Sequence, residues 1–295
     1  MDRLQQAISK ARRERSASTE REVPTPVAAA IGAARRSAAE MQTEAPKAAA
    51  VERPLGDLAT RWAQFKPLQV SARSIQNNRL LAFSTGETAI PYDMLRTRVL
   101  QVARKNNWKR IAIVSPESSV GKTTITANLG FSFSRMRDKR TMVLDFDMRR
   151  MGLARVLGAQ TEFSMADVLQ RRIPFSQHGL SHDTNVVFGL NRNRSQNTSE
   201  ILQDPMSAEV LAELEEIYQP DIMLFDTPPL MASDDSHGFL QLVDCALLIA
   251  AAERTPVERI DVAERQLSEL TNVMGIVLNR CRYTGGAHGY ENDYY

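Results

Sequence analysis

Ser115-Pro-Glu-Ser-Ser-Val-Gly-Lys-Thr-Thr124 is the stretch on which the reading of this 295-residue chain turns. Before it stands a short apolar run, Arg110 to Ser115, and after it Ile125, Leu129, Phe133 and Met136 recur at helical spacing. Strand, loop and helix in that order direct the loop's N–H groups and the helix N-terminus at one point, where a phosphate chain fits. Lys122 adds a charge and the Thr123 hydroxyl a ligand for Mg²⁺. Ser118, Ser119, Val120, Gly121, Lys122, Thr123 and Thr124 therefore form a candidate triphosphate cradle. The usual first glycine of the pattern is Pro116 here, and only the Gly-Lys-Thr half is present. Taken alone, the stretch also reads as a Ser/Gly turn.

Two later runs favour the cradle. Thr141-Met-Val-Leu-Asp-Phe-Asp147 carries an apolar strand into Asp145 and Asp147, and Asp221-Ile-Met-Leu-Phe-Asp-Thr-Pro-Pro229 carries another into Asp226. In open parallel sheets, ligands bind beyond the carboxyl ends of the strands. One such aspartate is a helix cap or turn residue on its own terms. Three of them, following a Gly-Lys-Thr loop, match a nucleotide–Mg²⁺ site, which needs hard oxygen ligands and a carboxylate that orients or deprotonates the nucleophile. Asn185 to Leu190, Cys245 to Ala250 and Met274 to Leu278 are further strand candidates. A helix is expected from Asp204-Pro205, with Val210, Leu211, Leu214 and Ile217 inward. Another is expected at Thr255, with Thr255 as N-cap, Pro256 at N1, Glu258 completing a capping box, and Val257, Ile260, Ala263, Leu267 and Leu270 on one face. The expected fold over residues 90–282 is α/β, a mostly parallel sheet flanked by helices on both faces.

Around this centre the composition is that of a water-soluble chain: 43% hydrophobic, 24% charged, net charge +2. The longest apolar run, Cys245 to Ala252, falls far short of the roughly 18 residues a membrane-spanning helix needs. Arg3, Lys10, Arg12, Arg13 and Arg15 interrupt the start, so no secretory signal is expected and a cytoplasmic location is. Cys245 and Cys281 are too few for a disulfide framework. The near-neutral balance gives no nucleic-acid footprint. Residues 1–60 contain no aromatic residue and are expected to be a largely disordered tether. Within it, Leu4, Ala7, Ile8 and Ala11 allow a short amphipathic helix over 2–15, either frayed and solvated or docked on a membrane or protein. Residues 61–89 are expected to be a linker. Four of the six tyrosines, Tyr283, Tyr290, Tyr294 and Tyr295, lie in the polar tail 283–295, as phosphoacceptors or as an adhesive partner-binding element.

The loop, the Asp-Phe-Asp-Met-Arg-Arg150 stretch and the Asp-Thr-Pro-Pro229 stretch resemble the Walker A, A′ and B motifs of the bacterial tyrosine kinases that accompany capsule and exopolysaccharide export, within the deviant-Walker P-loop ATPases. Asn197-Thr-Ser-Glu-Ile-Leu202 and Gly275-Ile-Val-Leu-Asn-Arg280 extend the resemblance over residues 80–295, and Met1 to Arg15 looks like the N-termini of some exopolysaccharide autokinases. The resemblance implies a P-loop fold, ATP and Mg²⁺ as cofactors, and γ-phosphoryl transfer to tyrosines of the tail. A phenol's pKa of about 10 then requires a base, for which Asp145 is the candidate. Lys122 would stabilise the transferring group, Thr123, Asp226 and Asp147 would hold the metal, and Asn279 would contact adenine. Implied partners are a membrane polysaccharide co-polymerase as activator, further copies of the chain, and a cognate tyrosine phosphatase, with recruitment to the inner face of the plasma membrane. The rival reading is a nucleotide-switched positioning or assembly ATPase. Such relatives carry a lysine near the start of the loop, where this chain has Glu117. The kinases' Glu-x-x-Arg-x-x-Arg assembly motif aligns with Ile90 to Arg98 but only Arg96 is kept, and Arg96 and Arg98 also read as a solvated helix face.

Overall fold

Val, Ile and Leu dominate the runs that the sequence marks as strands. In the computed structural model, which describes residues 56–231 and 235–282, these runs form six adjacent strands of one sheet. Its strands are β1 (Lys66–Pro67), β2 (Arg110–Val114), β3 (Thr141–Asp145), β4 (Leu180–His182), β5 (Val186–Gly189), β6 (Ile222–Asp226), β7 (Cys245–Ala251) and β8 (Asn272–Asn279), in the order β1-β4-β5-β3-β6-β2-β7-β8. Every pairing is parallel except β4 with β5. The two-residue side-chain period divides the core. Ala112, Val114, Met142 and Leu144 face one layer, and Ile111, Ile113 and Val143 the other.

The first layer is covered by α9 (Pro205–Tyr218) and α11 (Val257–Leu270), through Leu211, Leu214, Ala263 and Leu267. The second is covered by α3 (Ile90–Asn106) and α4 (Lys122–Ser134), through Val99, Leu100, Leu129 and Phe133. This is the expected doubly covered, mostly parallel sheet. Helix α9 starts as its sequence dictates, the Asp204 carboxylate accepting from the Met206 N–H at 2.9 Å with Pro205 behind it. Helix α11 does not. Thr255 lies outside it, its hydroxyl accepts from the Ala251 N–H at 3.0 Å and donates to Glu117, and no side chain caps the helix. Val257, expected inward, is 66% exposed.

Residues 61–89 are not a free linker. Helix α1 (Leu58–Ala63), strand β1 and helix α2 (Ala72–Asn77) build the outer edge of the sheet. Trp62 and Phe65 are buried against Phe175 and Tyr218, and the Trp62 indole donates to the Tyr218 carbonyl at 2.8 Å. Leu68, Leu80, Ala82 and Ala89 are buried as well, and the apolar surface they remove from water with the two aromatic rings opposes the entropy cost of ordering the segment. Arg96 is likewise not part of a solvated face. It donates to the Ser132 carbonyl at 2.6 Å and pairs with Asp93, which also accepts from Arg135, so α3 is fixed on α4. Arg98 is exposed. Cys245 is a buried free thiol, Cys281 an exposed one. Most of the tether 1–60, its helix 2–15, and the tail with Tyr283, Tyr290, Tyr294 and Tyr295 lie outside the described residues.

His178 ends α7 (Phe175–His178) and is buried. Burial pushes its pKa down to about 4, the Asp167 charge and the nearby Leu190 main chain opposing only in part. The unfolded chain takes up this proton near 6.5 and the folded one only near 4, so stability present at neutral pH is lost as pH falls through that window. The expected loss is about 3 kcal/mol between pH 7.5 and 4. Urea midpoints measured across this range should show it in the native protein, and the loss should shrink in His178→Gln.

Candidate nucleotide site

Strands β2, β3 and β6 lie side by side, and register pairs Ile113 with Asp226 and Asp226 with Asp145. Their carboxyl ends therefore bring the phosphate loop and the aspartates together. Between β2 and α4, Ser119 and Gly121 have φ of +64° and +94°. Left-handed residues in such a loop turn its N–H groups into a concavity. Gly121 is required twice over, since a Cβ there would also stand 2.3 Å from the Asn279 amide nitrogen. Asn279 itself donates to the Val120 carbonyl at 2.7 Å, tying the end of β8 to the loop.

Lys122 is turned inward and meets the Asp226 carboxylate at 2.5 Å, the pair being almost fully buried. The Thr126 hydroxyl also reaches Asp226, at 3.4 Å. The other Asp226 oxygen, Oδ2, and Oδ1 of Asp147 are buried without a hydrogen-bond partner among the described residues. Asp145 accepts from the Asp147 and Leu153 N–H groups, both at 3.2 Å. Desolvation, then the charges of Asp226 and Asp147, raise the Asp145 pKa well above the usual carboxylate range. Asp147 is pushed up to about 6, chiefly by desolvation. A carboxyl group shifted to about 6, as Asp147 is, has a proton affinity suited to exchange near neutral pH.

A cleft of about 440 Å³ opens over this cluster, lined by Ser118, Ser119, Gly121, Lys122, Thr123, Thr124, Asp147 and, beyond the sequence-based set, Ser115, Arg150, Gly152, Arg155, Pro229 and Arg280. Arg150 was legible as a neighbour of the Asp145–Asp147 stretch. Arg155 and Gly152 carry no local motif. Gly152 opens helix α5 (Gly152–Leu157), and a Cβ there would sit 3.0 Å from the Thr123 hydroxyl and 3.5 Å from Asp226 Oδ2. Those two oxygens thus converge on a point that only a glycine leaves open. Together with Asp147 Oδ1, which like Asp226 Oδ2 has no hydrogen-bond partner among the described residues, they fit Mg²⁺, which takes few protein ligands and completes its shell with phosphate and water. Asp147 lines the cleft; Asp145, Val120 and Asn279 are not among its lining residues.

Glu117, in the loop, folds back onto α11, with its carboxylate 2.6 Å from Arg259 and accepting from Thr255 at 3.2 Å.

Comparison with known proteins agrees with the motifs. CpsD of Streptococcus pneumoniae serotype 4, named a tyrosine-protein kinase, is 27% identical over 186 residues, covering 61% of this chain and 80% of CpsD. AmsA of Erwinia amylovora is 28% identical over 230 residues, 75% of this chain, which spans only 31% of AmsA. The kinase domain of the Escherichia coli tyrosine kinase ETK superposes with a TM-score of 0.62 at 17% identity, over 83% of this chain and 94% of that one, and so shares the fold. Residues 111–293 match the CobQ/CobB/MinD/ParA nucleotide binding domain, and they contain the phosphate loop, all three aspartates and Asn279. This chain belongs to that nucleotide-binding family.

Proposed function

We propose that this chain is an ATP- and Mg²⁺-dependent protein-tyrosine kinase, phosphorylating Tyr283, Tyr290, Tyr294 and Tyr295 and acting in exopolysaccharide or capsule polymerisation and export. The observation that carries the reading is the buried Lys122–Asp226 pair beneath the phosphate loop, with two carboxylate oxygens and the Thr123 hydroxyl left for a cation. Glu117 favours it over the positioning ATPases, since the side chain at that loop position is an acid held on α11.

Thr123, Asp226 and Asp147 would hold Mg²⁺, which when bound neutralises charge on the β- and γ-phosphates. The loop N–H groups bind the phosphate chain, and Lys122 exchanges Asp226 for phosphate oxygens as nucleotide enters. Arg150, Arg155 and Arg280 add positive charge around the cleft. Asn279 sits where the end of β8 meets the loop and would border the adenine. The attacking phenol must lose its proton as the O–P bond forms. Asp145 is the proposed acceptor and Asp147, in the cleft wall, its metal-binding neighbour. A membrane polysaccharide co-polymerase as activator, a cognate phosphatase, association of several copies, and recruitment to the inner face of the plasma membrane follow from the same reading.

Incubation of the purified protein with γ-labelled ATP tests it. Label is expected on tyrosine, and it should vanish when residues 283–295 are removed. Release of phosphate with no tyrosine label, activator included, would sink the kinase reading. Asp145→Asn should lower phosphotransfer about 10²–10⁴-fold with ATP affinity retained, whereas Asp147→Asn should raise the Mg²⁺ concentration required. The reverse pattern would reassign the base to Asp147.

A further inference from the structure

A hollow of about 770 Å³ lies between α5 and the β1–β4 edge of the sheet, and it is larger than the nucleotide cleft. Arg155 is the one residue that lines both spaces. The hollow therefore has a chemistry of its own, in a volume within the roughly 300–1,000 Å³ that small-molecule sites occupy.

Its charge selects an anion. Lys66, Arg155 and Arg192 line it with a single carboxylate, that of Glu162, which pairs with Lys66 at 3.4 Å. The Arg155 guanidinium donates to the Arg150 carbonyl at 2.9 Å and that of Arg192 to the Glu162 carbonyl at 3.1 Å. Among the described residues neither arginine has a carboxylate partner, and each guanidinium keeps further N–H donors. Two such forks match a doubly charged group with several oxygens, which is what a phosphate monoester presents.

A second observation says what else the ligand carries. His178, 2% exposed, lines the hollow, and neither of its ring nitrogens makes a hydrogen bond among the described residues. At neutral pH this imidazole is uncharged, so it holds one donor and one acceptor, and leaving both unmet is costly. A phosphate dianion only accepts; a hydroxyl does both. Gln160 and Gln177 add amides of the same double capacity, and Ala154 and Leu180 an apolar wall for the C–H face of a small ring. We propose that the hollow between α5, β1 and β4 binds a sugar phosphate, with Arg155 and Arg192 on the phosphate and His178 and the two glutamine amides on the hydroxyls. The site goes beyond the kinase reading and does not depend on it.

The test is binding with the phosphate loop already filled. The full-length protein is saturated with Mg²⁺ and a non-hydrolysable ATP analogue, then titrated calorimetrically with glucose 1-phosphate, glucose 6-phosphate and ribose 5-phosphate. At least one of the three should bind at least tenfold more tightly than glucose or inorganic phosphate. Arg192→Gln should weaken that probe at least tenfold. Glu162→Gln, which removes the opposing charge, should bind it more tightly and keeps the proposal open to refutation if Arg192→Gln folds poorly. In protein carrying ¹⁵N-labelled histidine, the ring-nitrogen signal that is missing from His178→Gln should shift as the probe saturates. Failure of all three probes to bind at millimolar concentration, equal affinity for glucose or inorganic phosphate, an affinity unchanged in either variant, or an unmoved His178 signal overturns the proposal.

Discussion

Lys122→Met is expected to lower phosphotransfer by about 10³-fold, the scale seen when one preorganised donor to a transferring group is removed. It should also destabilise the nucleotide-free protein by about 3–5 kcal/mol. The second effect follows from what Lys122 does in the absence of ATP. Its ammonium, 6% exposed, is the counter-charge of a fully buried Asp226, beside which Asp145 and Asp147 are also buried. Deleting the cation strands a carboxylate among carboxyl groups. The double variant Lys122→Met/Asp226→Asn should therefore recover most of the stability and none of the activity. Urea unfolding and initial rates measured on the same preparations separate the two effects. An unfolding midpoint of Lys122→Met equal to that of the native protein would show that the pair holds nothing.

Trp62→Ala should cost about 3–5 kcal/mol, the range for emptying a large aromatic site in a core. Trp62 is 3% exposed, stacks edge-on with Phe65 and Tyr218 at centroid distances of 6.1 and 6.4 Å, and satisfies the Tyr218 carbonyl. Trp62→Phe keeps most of the ring and loses the donor, for about 1–3 kcal/mol. Neither residue borders the nucleotide cleft, so ATP affinity measured well below the unfolding temperature should stay within about twofold, by the usual independence of distant sites. A loss of ATP affinity in step with stability would mean that the edge of the sheet and the cleft open together.

Much of the architecture was written in local pattern. β2, β3, β6 and β7 are apolar runs in buried parallel strands, and such runs announce themselves because both faces must be apolar. The Asp204-Pro205 helix start was legible because cap and proline act within a few residues. The failures are of another kind. Trp62 and Phe65 stand in a polar segment, and contacts with Phe175 and Tyr218, more than 100 positions later, give them a core. β1 and β4, two and three residues long, are too short to show a period. Thr255 was misread because its hydroxyl has a better use between Ala251 and Glu117 than at a helix cap. At the site, Lys122, Thr123 and the three aspartates belong to contiguous motifs. Gly152, Arg155 and Arg280 reach the cleft through tertiary folding, which no spacing rule records.

Glu117 makes the loop part of a joint. Its carboxylate clasps Arg259 and Thr255 on one side, and its carbonyl accepts from Ser115 at the root of the loop on the other. A shift of α11 by an ångström or so must either drag the loop along or break the clasp. Helix position and nucleotide affinity are then reciprocal quantities: a protein that leans on the exposed Val257 and Val262 of α11 would retune the grip on ATP, and ATP would retune the grip on that protein by the same factor.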